Sequence, residues 1–203
     1  MRGGIRSVNE TNQVKTQELI KVSLFIALII IQTWVPMLGY IPLPILPATI
    51  IHVTVIVAAI WLGWKSGAIV GLAWGINSMI RAYLSGNPFS FAVFTSPLIS
   101  VIPRVLVPIL VAGLYYLLNK TKVKDTLKLS LVGIAGAFFN TALVLSSIAL
   151  FKQTAFLDQF EVGSQSIWKV LSTVIIINGF PEMVVGGVLT PIITKTLMRI
   201  ERK

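Results

Sequence analysis

The stretch GAIVGLAWGINSMIRAY, residues 67–83, indicates the fold class because it is an apolar helix of membrane length that carries an amide and a guanidinium. Asn77 and Arg81 are spaced one helical turn apart. Within a membrane span such groups usually face a bundle interior or a water-filled cavity, since lipid does not tolerate them. The stretch therefore predicts a membrane helix that lines a polar site.

The composition of the whole chain is typical of an integral membrane protein. Its 203 residues are 55% hydrophobic and 12% charged, whereas soluble domains carry about 25% charged residues. The net charge of +10 arises from basic residues between apolar runs, a pattern that indicates membrane topology rather than a nucleic-acid-binding face. With no cysteine and the single histidine His52, we expect no disulfide, no metal site and no cofactor.

Six apolar segments predict an all-α integral membrane protein: one membrane domain over residues 1–203 that forms a six-transmembrane-helix bundle. The segments are about 18–36, 48–63, 65–84, 98–118, 128–151 and 168–194. The second ends at Gly63, which predicts a tight hairpin with the third. Residues 1–17 are expected to form a polar cytoplasmic tail.

The basic residues predict how the bundle is oriented. With the amino end inside, 13 of the 17 lysines and arginines lie on the inner side, as the positive-inside rule expects. These residues are Arg2, Arg6, Lys15, Lys21, Lys65, Lys120, Lys122, Lys124, Lys128, Lys195, Arg199, Arg202 and Lys203. Both termini are then cytoplasmic. The turn-rich connections 36–47 and 85–97 lie outside, where we expect them to cover a cavity.

Four polar residues on four predicted spans share a similar depth. Asn77 and Arg104 lie roughly 10 Å below the outer boundary, and Asn140 and Asn178 lie about 12 to 18 Å below it. The shared depth favours one binding site. Some polar residues also have a structural interpretation. Asn140 is equally suited to form a hydrogen bond with a neighbouring helix, and the long side chains of Arg104 and Arg81 are suited to reach the lipid headgroups at the outer membrane surface.

The sixth segment contains a proline that should bend it. Pro181 removes a backbone donor and frees the carbonyl of Ile177. Asn178 is then suited either to bind a ligand or to satisfy that carbonyl, and Glu182 is expected to have a structural role.

The third segment has two neighbouring faces. Trp74, Asn77 and Arg81 fall within an arc of about 60°, and we predict that this face binds the ligand. Small residues form the adjacent face, and we predict that it packs against another helix, as small residues at four-residue spacing do in membranes. They are Gly67, Gly71, Gly75, Ser78 and Ala82.

Two further aromatic residues, Trp34 and Tyr83, suit either an interfacial belt or stacking on a ligand. Motifs of ATP hydrolysis and of intramembrane hydrolysis are absent from the sequence. We therefore expect a protein that is not an enzyme and whose energy comes from elsewhere.

Three stretches together resemble the substrate-binding S component of energy-coupling-factor (ECF) vitamin transporters. They are ILPATIIHVTVIVAAIWLGWKSGAIVGLAWGINSMIRAY (45–83), SVIPRVLV (100–107) and NGFPEMVVGGVL (178–189). Their order and spacing over nearly the whole chain carry the resemblance, rather than any single motif. The resemblance implies a multi-pass protein of the bacterial cytoplasmic membrane that captures a vitamin from outside and joins one transmembrane coupling subunit and two ATPase subunits.

The resemblance also implies a docking position for the coupling subunit. In that family the first helix usually carries an Ala-x-x-x-Ala contact, and the equivalent here is Ser23-x-x-x-Ala27. Two small residues at this spacing still allow close approach of a partner helix.

The polar groups favour a carboxylate ligand that also carries hydroxyl and amide groups. Arginine binds a carboxylate through two parallel hydrogen bonds, and pantothenate fits the set of two arginines and three amides. The IPR and NGFPE stretches are similar to pantothenate-type members. A neutral pyrimidine or pyridoxine-like vitamin, stacked on Trp34, Trp74 or Tyr83, is the alternative within the family; a stand-alone carrier and a purely structural membrane protein are the alternatives outside it.

Overall fold

The chain folds into a bundle of long helices joined by shorter elements. The computed structural model describes residues 2–41, 48–159 and 167–201, with side chains at 15–41, 48–157 and 169–201. The elements are α1 (Arg2–Trp34), β1 (Tyr40–Ile41), β2 (Ala48–Thr49), α2 (Ile51–Leu62), α3 (Trp64–Leu84), α4 (Pro88–Phe94), α5 (Pro97–Ser100), α6 (Ile102–Asn119), α7 (Asp125–Phe151), α8 (Gln153–Gln159), α9 (Ile167–Val174), a π-helical turn (Ile175–Gly179) and α10 (Phe180–Glu201).

Four helical stretches within the described residues are long and apolar enough to cross a membrane: Lys15–Trp34, Pro97–Asn119, Asp125–Phe151 and Lys169–Glu201. Helix α2 is apolar but has only 12 residues. Helix α3 has 21 residues, and polar side chains such as Asn77 and Arg81 lower its hydropathy. An all-α membrane protein is therefore confirmed.

Helix α2 lies at the centre of the bundle. Ten of its 12 residues, Ile51 to Ile60, are buried, and it contacts α1, α3, α6, α7 and α10. A helix that is apolar all round must be covered on every side, which explains this central position. It joins α3 through a single residue, Gly63, whose φ of 92° suits glycine. The tight hairpin predicted from the sequence is present.

Glycines bring the helices close together at three crossings. A Cβ at Gly67 would lie 2.7 Å from the Cα of Ala59 on α2, and one at Gly71 would lie 2.1 Å from the carbonyl oxygen of Arg104 on α6. A Cβ at Gly133 on α7 would likewise meet the carbonyl oxygen of Gly186 on α10, at 2.1 Å. The packing role predicted for Gly67 and Gly71 is confirmed, and the glycine contact between α7 and α10 was not predicted.

One end of the bundle is covered by short elements. Strands β1 and β2 form an antiparallel hairpin in which Tyr40 pairs with Thr49; residues 42–47 of the predicted 36–47 connection lie outside the described residues. The 85–97 connection contains helix α4, because Asn87 caps it by accepting a hydrogen bond from the backbone N–H of Ser90 (3.0 Å) and Pro88 occupies its first turn. The prediction of a turn-rich loop there was thus incomplete.

Polar contacts hold three helices together at the opposite end. Lys21 on α1 forms an ion pair with Glu201 on α10, and Glu201 also accepts a hydrogen bond from the indole of Trp61 on α2 (2.8 Å). The ammonium group of Lys21 lies 4.7 Å from the centre of the Trp61 ring. Helix α1 begins at Arg2, so the helix extends through residues 2–17 of the segment predicted as a polar tail.

Candidate functional site

A cavity of about 390 Å³ lies at the end of the bundle covered by the short elements. Its walls come from the β1–β2 hairpin, from α3 and the segment that follows it, and from α4, α6, α7, α9, the π-helical turn and α10. The lining residues are Tyr40, Thr49, Ser78, Arg81, Ala82, Ser85, Asn87, Ser90, Phe94, Arg104, Asn140, Thr141, Val144, Leu145, Val174, Asn178 and Glu182. Few polar groups among apolar walls are typical of a small-molecule site.

Arg81 lies in the lining with its guanidinium available to a ligand. The Cζ atom is 4.0 Å from the centre of the Tyr40 ring, and the Tyr40 hydroxyl is 3.3 Å from that of Ser78. Within the part of the chain that the structure describes, the guanidinium makes no hydrogen bond or ion pair with protein. Stacking on Tyr40 thus positions a positive charge whose donors have no hydrogen-bond partner among the described residues.

Arg104 is held more firmly by its surroundings. The residue is buried, its Nη1 donates a hydrogen bond to the carbonyl of Ile99, and its Cζ lies 5.2 Å from the centre of the Trp74 ring and 5.8 Å from that of Phe94. Nε has no hydrogen-bond partner among the described residues. Arg104 therefore supports the site structurally and keeps some donor capacity for a ligand.

Glu182 connects three parts of the cavity wall. One carboxylate oxygen accepts a hydrogen bond from the backbone N–H of Thr49 (2.7 Å), and the other accepts one from the Thr141 hydroxyl (3.2 Å). The carboxylate also interacts electrostatically with Arg104. These contacts agree with the structural role predicted for Glu182, although the residue lines the cavity as well.

Two buried amides complete the polar part of the lining, Asn140 on α7 and Asn178 in the π-helical turn. The Asn140 side-chain oxygen has no hydrogen-bond partner among the described residues. A buried amide without a partner is costly, so Asn140 is suited to accept a hydrogen bond from a bound solute. The turn that carries Asn178 widens just before Pro181, where the sequence predicts a bend.

The structure thus brings together four of the predicted ligand residues, Arg81, Arg104, Asn140 and Asn178. Their contact with a ligand stays a prediction.

The other four predicted ligand residues lie outside the cavity lining. Asn77 donates to the carbonyl of Ala73 (2.9 Å) and accepts a hydrogen bond from the Trp34 indole (3.3 Å), so this pair joins α3 to α1. Trp74 is fully buried behind Arg104. Tyr83 is 55% exposed and meets the edge of Phe91. The cavity lining therefore does not include Trp34, Trp74, Asn77 and Tyr83, and their contact with a ligand stays a prediction.

The cavity-facing side of α3 differs from the predicted one. Ser78, Ala82 and Ser85 line the cavity, and the first two belong to the face predicted to pack. That face packs at Gly67, Gly71 and Gly75 and lines the cavity one turn later, because α6 begins only at Ile102 and does not extend along the last turns of α3. Arg81 reaches the cavity because its side chain is long.

Several lining residues were missed by sequence reasoning. Tyr40, Thr49 and Ser90 come from short connecting elements, where no apolar period reveals which side chains turn inward. The signal for Asn87 was present, since an asparagine before proline commonly caps a helix. Thr141 follows Asn140 directly in the sequence but was not among the predicted site residues.

Other sequence predictions concern metal binding and docking. His52 is fully buried on α2, and no group of three potential metal-binding side chains occurs among the described residues. Ser23 and Ala27 lie exposed on one side of α1 beside Leu24 and Leu28, which are 65% and 43% exposed. This position is compatible with docking, which stays a prediction.

Comparison with known proteins agrees with this architecture. The family described as the ECF transporter, substrate-specific component, matches residues 17–194. The chain is 30% identical over 197 residues to a pantothenate transporter, PanT, of Leuconostoc mesenteroides subsp. mesenteroides, covering 93% of this chain and 96% of the relative. It is 32% identical over 176 residues to a pantothenic acid transporter, PanT, of Lactococcus lactis subsp. cremoris, covering 78% and 81%. The chain therefore belongs to the substrate-specific components of ECF transporters, which are multi-pass proteins of the cytoplasmic membrane.

Proposed function

We propose that this protein binds pantothenate in the cavity next to Arg81 and delivers it for ATP-driven import. The observation that carries the proposal is the stacked guanidinium of Arg81, which lines the cavity and has no protein partner among the described residues. The two relatives named as transporters of this vitamin support the choice of ligand.

The charges of the lining suit a monovalent anion. Arg81 and Arg104 bring two guanidinium groups to the lining, against the single carboxyl group of Glu182, so basic groups outnumber acidic ones. Arg104 already donates a hydrogen bond to the carbonyl of Ile99, whereas Arg81 is left for the carboxylate of the ligand. A carboxylate and a guanidinium form two parallel hydrogen bonds with strong geometric preference.

The other lining residues are chemically complementary to the rest of the pantothenate molecule. The vitamin carries an amide, two hydroxyls and a pair of methyl groups on one carbon. Asn140, Asn178 and the hydroxyl of Thr141 offer hydrogen bonds, while Val144 and Leu145 offer an apolar wall. The volume of about 390 Å³ falls in the range of about 300 to 1,000 Å³ that is usual for small-molecule sites.

We propose that α2 and α3 complete a six-span bundle with both termini in the cytoplasm. The central α2 lies inside the bundle, and α3 packs along α1 and α6. The inner end then holds most of the basic residues, and the cavity opens outward. ATP hydrolysis belongs to two partner ATPases, which act through one transmembrane coupling subunit.

The proposal is tested by pairing one variant with two ligands. The ligands are pantothenate and its alcohol analogue, in which a CH2OH group replaces the carboxylate. Arg81→Gln should weaken pantothenate binding by about 10- to 150-fold, since a hydrogen bond to a charged group contributes about 1.5 to 3 kcal/mol. Binding of the alcohol should change less than threefold. Titration calorimetry on purified protein in detergent measures both affinities.

Arg104→Gln serves as the comparison, because its guanidinium also bonds to Ile99. This variant should lower the unfolding temperature without ligand, which Arg81→Gln should not. The proposal would be contradicted if Arg81→Gln lost affinity equally for both ligands. Displacement of pantothenate by equimolar pyridoxine would also contradict it.

A further inference from the structure

A second cavity, of about 320 Å³, lies at the other end of the bundle. It is formed where α6 ends, α7 begins and α10 ends. The lining residues are Tyr115, Asp125, Lys128, Leu129, Lys195, Met198 and Arg199. On α7 it lies roughly 18 Å from the level of Asn140, since 12 residues separate Lys128 from Asn140 at 1.5 Å each. The two cavities are therefore distinct.

The second cavity is strongly basic. Three cations, Lys128, Lys195 and Arg199, line it against one carboxylate, that of Asp125, so the net charge is +2. The Lys195 ammonium donates a hydrogen bond to the hydroxyl of Thr126, which holds α10 against the first turn of α7. The cations thus come from two helices and converge on one concave surface.

The position of Lys128 distinguishes this cavity from an ordinary basic membrane flank. Positive-inside residues are normally solvated, yet Lys128 is only 8% exposed. Among the described residues its only ion-pair partner is Asp125, at 3.2 Å, and the side chain of Asp125 is 83% exposed. An exposed carboxylate is largely screened by water and compensates a buried ammonium poorly. A bound anion would compensate it better.

The N-terminus of α7 adds to the positive charge at the cavity. No side chain caps this helix at Lys124, so its first backbone N–H groups lack a capping acceptor and add partial positive charge next to Lys128. This partial charge adds to that of the three cationic side chains. On its own, the helix N-terminus would not form an anion-binding site.

The walls indicate which anion is bound. Tyr115, Leu129 and Met198 give the cavity an apolar side, and Leu127 and Leu131 on the adjoining surface of α7 are 53% and 41% exposed. A phosphate with apolar chains attached can use both the cations and this surface, whereas free phosphate can use only the cations. We propose that the second cavity binds the phosphate of an anionic lipid headgroup at the inner membrane surface.

Lipid binding to the full chain in detergent tests the proposal. The probes are dioctanoyl phosphatidylglycerol, dioctanoyl phosphatidylcholine and inorganic phosphate. The double variant Lys195→Gln/Arg199→Gln should weaken phosphatidylglycerol binding about 25-fold, at about fivefold for each removed cation. The matched control Lys120→Gln/Lys122→Gln removes the same charge from residues outside the lining and should change it less than twofold. Titration by native mass spectrometry measures the affinities, and the unfolding temperature checks that each variant is folded.

Each alternative has its own outcome. Equal weakening in both double variants would show diffuse attraction to the basic end and would overturn the proposal. Equal affinity for phosphatidylcholine, or binding of inorganic phosphate as tight as that of phosphatidylglycerol, would also overturn it, the latter in favour of a free phosphate site. None of these outcomes bears on vitamin binding at Arg81, so the two proposals fail separately.

Discussion

At the scale of single residues, Glu182 shows how a buried carboxyl group can connect separate parts of a cavity wall. It fixes the backbone of Thr49 and the side chain of Thr141. Glu182→Leu should lower the free energy of unfolding by about 1 to 3 kcal/mol, because the buried N–H of Thr49 loses its acceptor. Glu182→Gln should stay close to the parent, since its amide oxygen can accept from Thr49 and its NH2 group can donate to Thr141. Thermal unfolding in detergent without ligand measures both variants.

The comparison of Leu with Gln isolates the hydrogen bonds from the charge. Equal destabilisation by both variants would mean that the charge of Glu182, through Arg104, matters more than its two acceptors. Unchanged stability in both would mean that the hairpin is held by other contacts.

Sequence reasoning selected residue types that do occur in the cavity lining, but not every residue that it selected lies there. Arg81, Arg104, Asn140 and Asn178 stood out because polar groups are rare within apolar spans. Asn77 is just as unusual, yet it faces α1 and bonds to Trp34. The direction in which a helix face points depends on where its neighbours lie, and the periodicity of one helix does not contain that information.

At the scale of elements, the crossing of α3 and α6 connects packing to the site. A Cβ at Gly71 would lie 2.1 Å from the carbonyl oxygen of Arg104, so Gly71→Ala must push α6 away. We expect a loss of about 1 to 3 kcal/mol in stability, as is usual for overpacking, together with weaker pantothenate binding because Arg104 moves. Unfolding temperature and calorimetric affinity measure the two effects.

Gly113→Ala on α6 is the matched control, since a Cβ there meets no atom within 4 Å. Its stability should be unchanged or higher by up to about 1 kcal/mol. A Gly71→Ala variant as stable as Gly113→Ala would show that the two helices separate easily, and the glycine would then have no packing role.

Elements were predicted better where their backbone geometry depends on a single residue and its neighbours in the sequence. Gly63 and its neighbours predicted the turn between α2 and α3 correctly, because a single-residue turn needs glycine. Pro181 predicted a disturbance in the last helix, but the π-helical turn at Ile175–Gly179 lies just before it and widens the backbone at Asn178. A proline shows that a hydrogen bond is lost, whereas the geometry that replaces it depends on packing.

Docking to the coupling subunit is a prediction about one face of α1. Ala27→Trp should abolish co-purification with the coupling module and leave pantothenate affinity unchanged, since a bulky side chain prevents close approach of a partner helix. Gly113→Trp places the same side chain in open space on α6 and should keep the module bound. Retained co-purification in Ala27→Trp would exclude this face, and loss in both variants would indicate a broader interface.

At the scale of the whole molecule, the two ends of the bundle differ in charge. The end with the proposed vitamin cavity, the one lined by Arg81, holds few basic residues, and the opposite end holds most of them. Four positions at or near helix ends sample the two ends of the bundle: Ser85 and Lys152 at the end with this cavity, and Lys65 and Lys122 at the opposite end. Because the chain contains no cysteine, a single cysteine at each of these positions reports its side of the membrane without background.

The orientation proposed above predicts the outcome of labelling these cysteines with an impermeant maleimide. Cysteines at positions 85 and 152 should react in intact cells, and those at positions 65 and 122 only after permeabilisation, because α3, α6 and α7 each cross the membrane once. Ser85 lines the vitamin cavity, so added pantothenate should slow labelling there and leave position 152 unaffected. Reaction at position 122 in intact cells would reverse the orientation, whereas the same reactivity at positions 65 and 85 would mean that α3 does not cross at all.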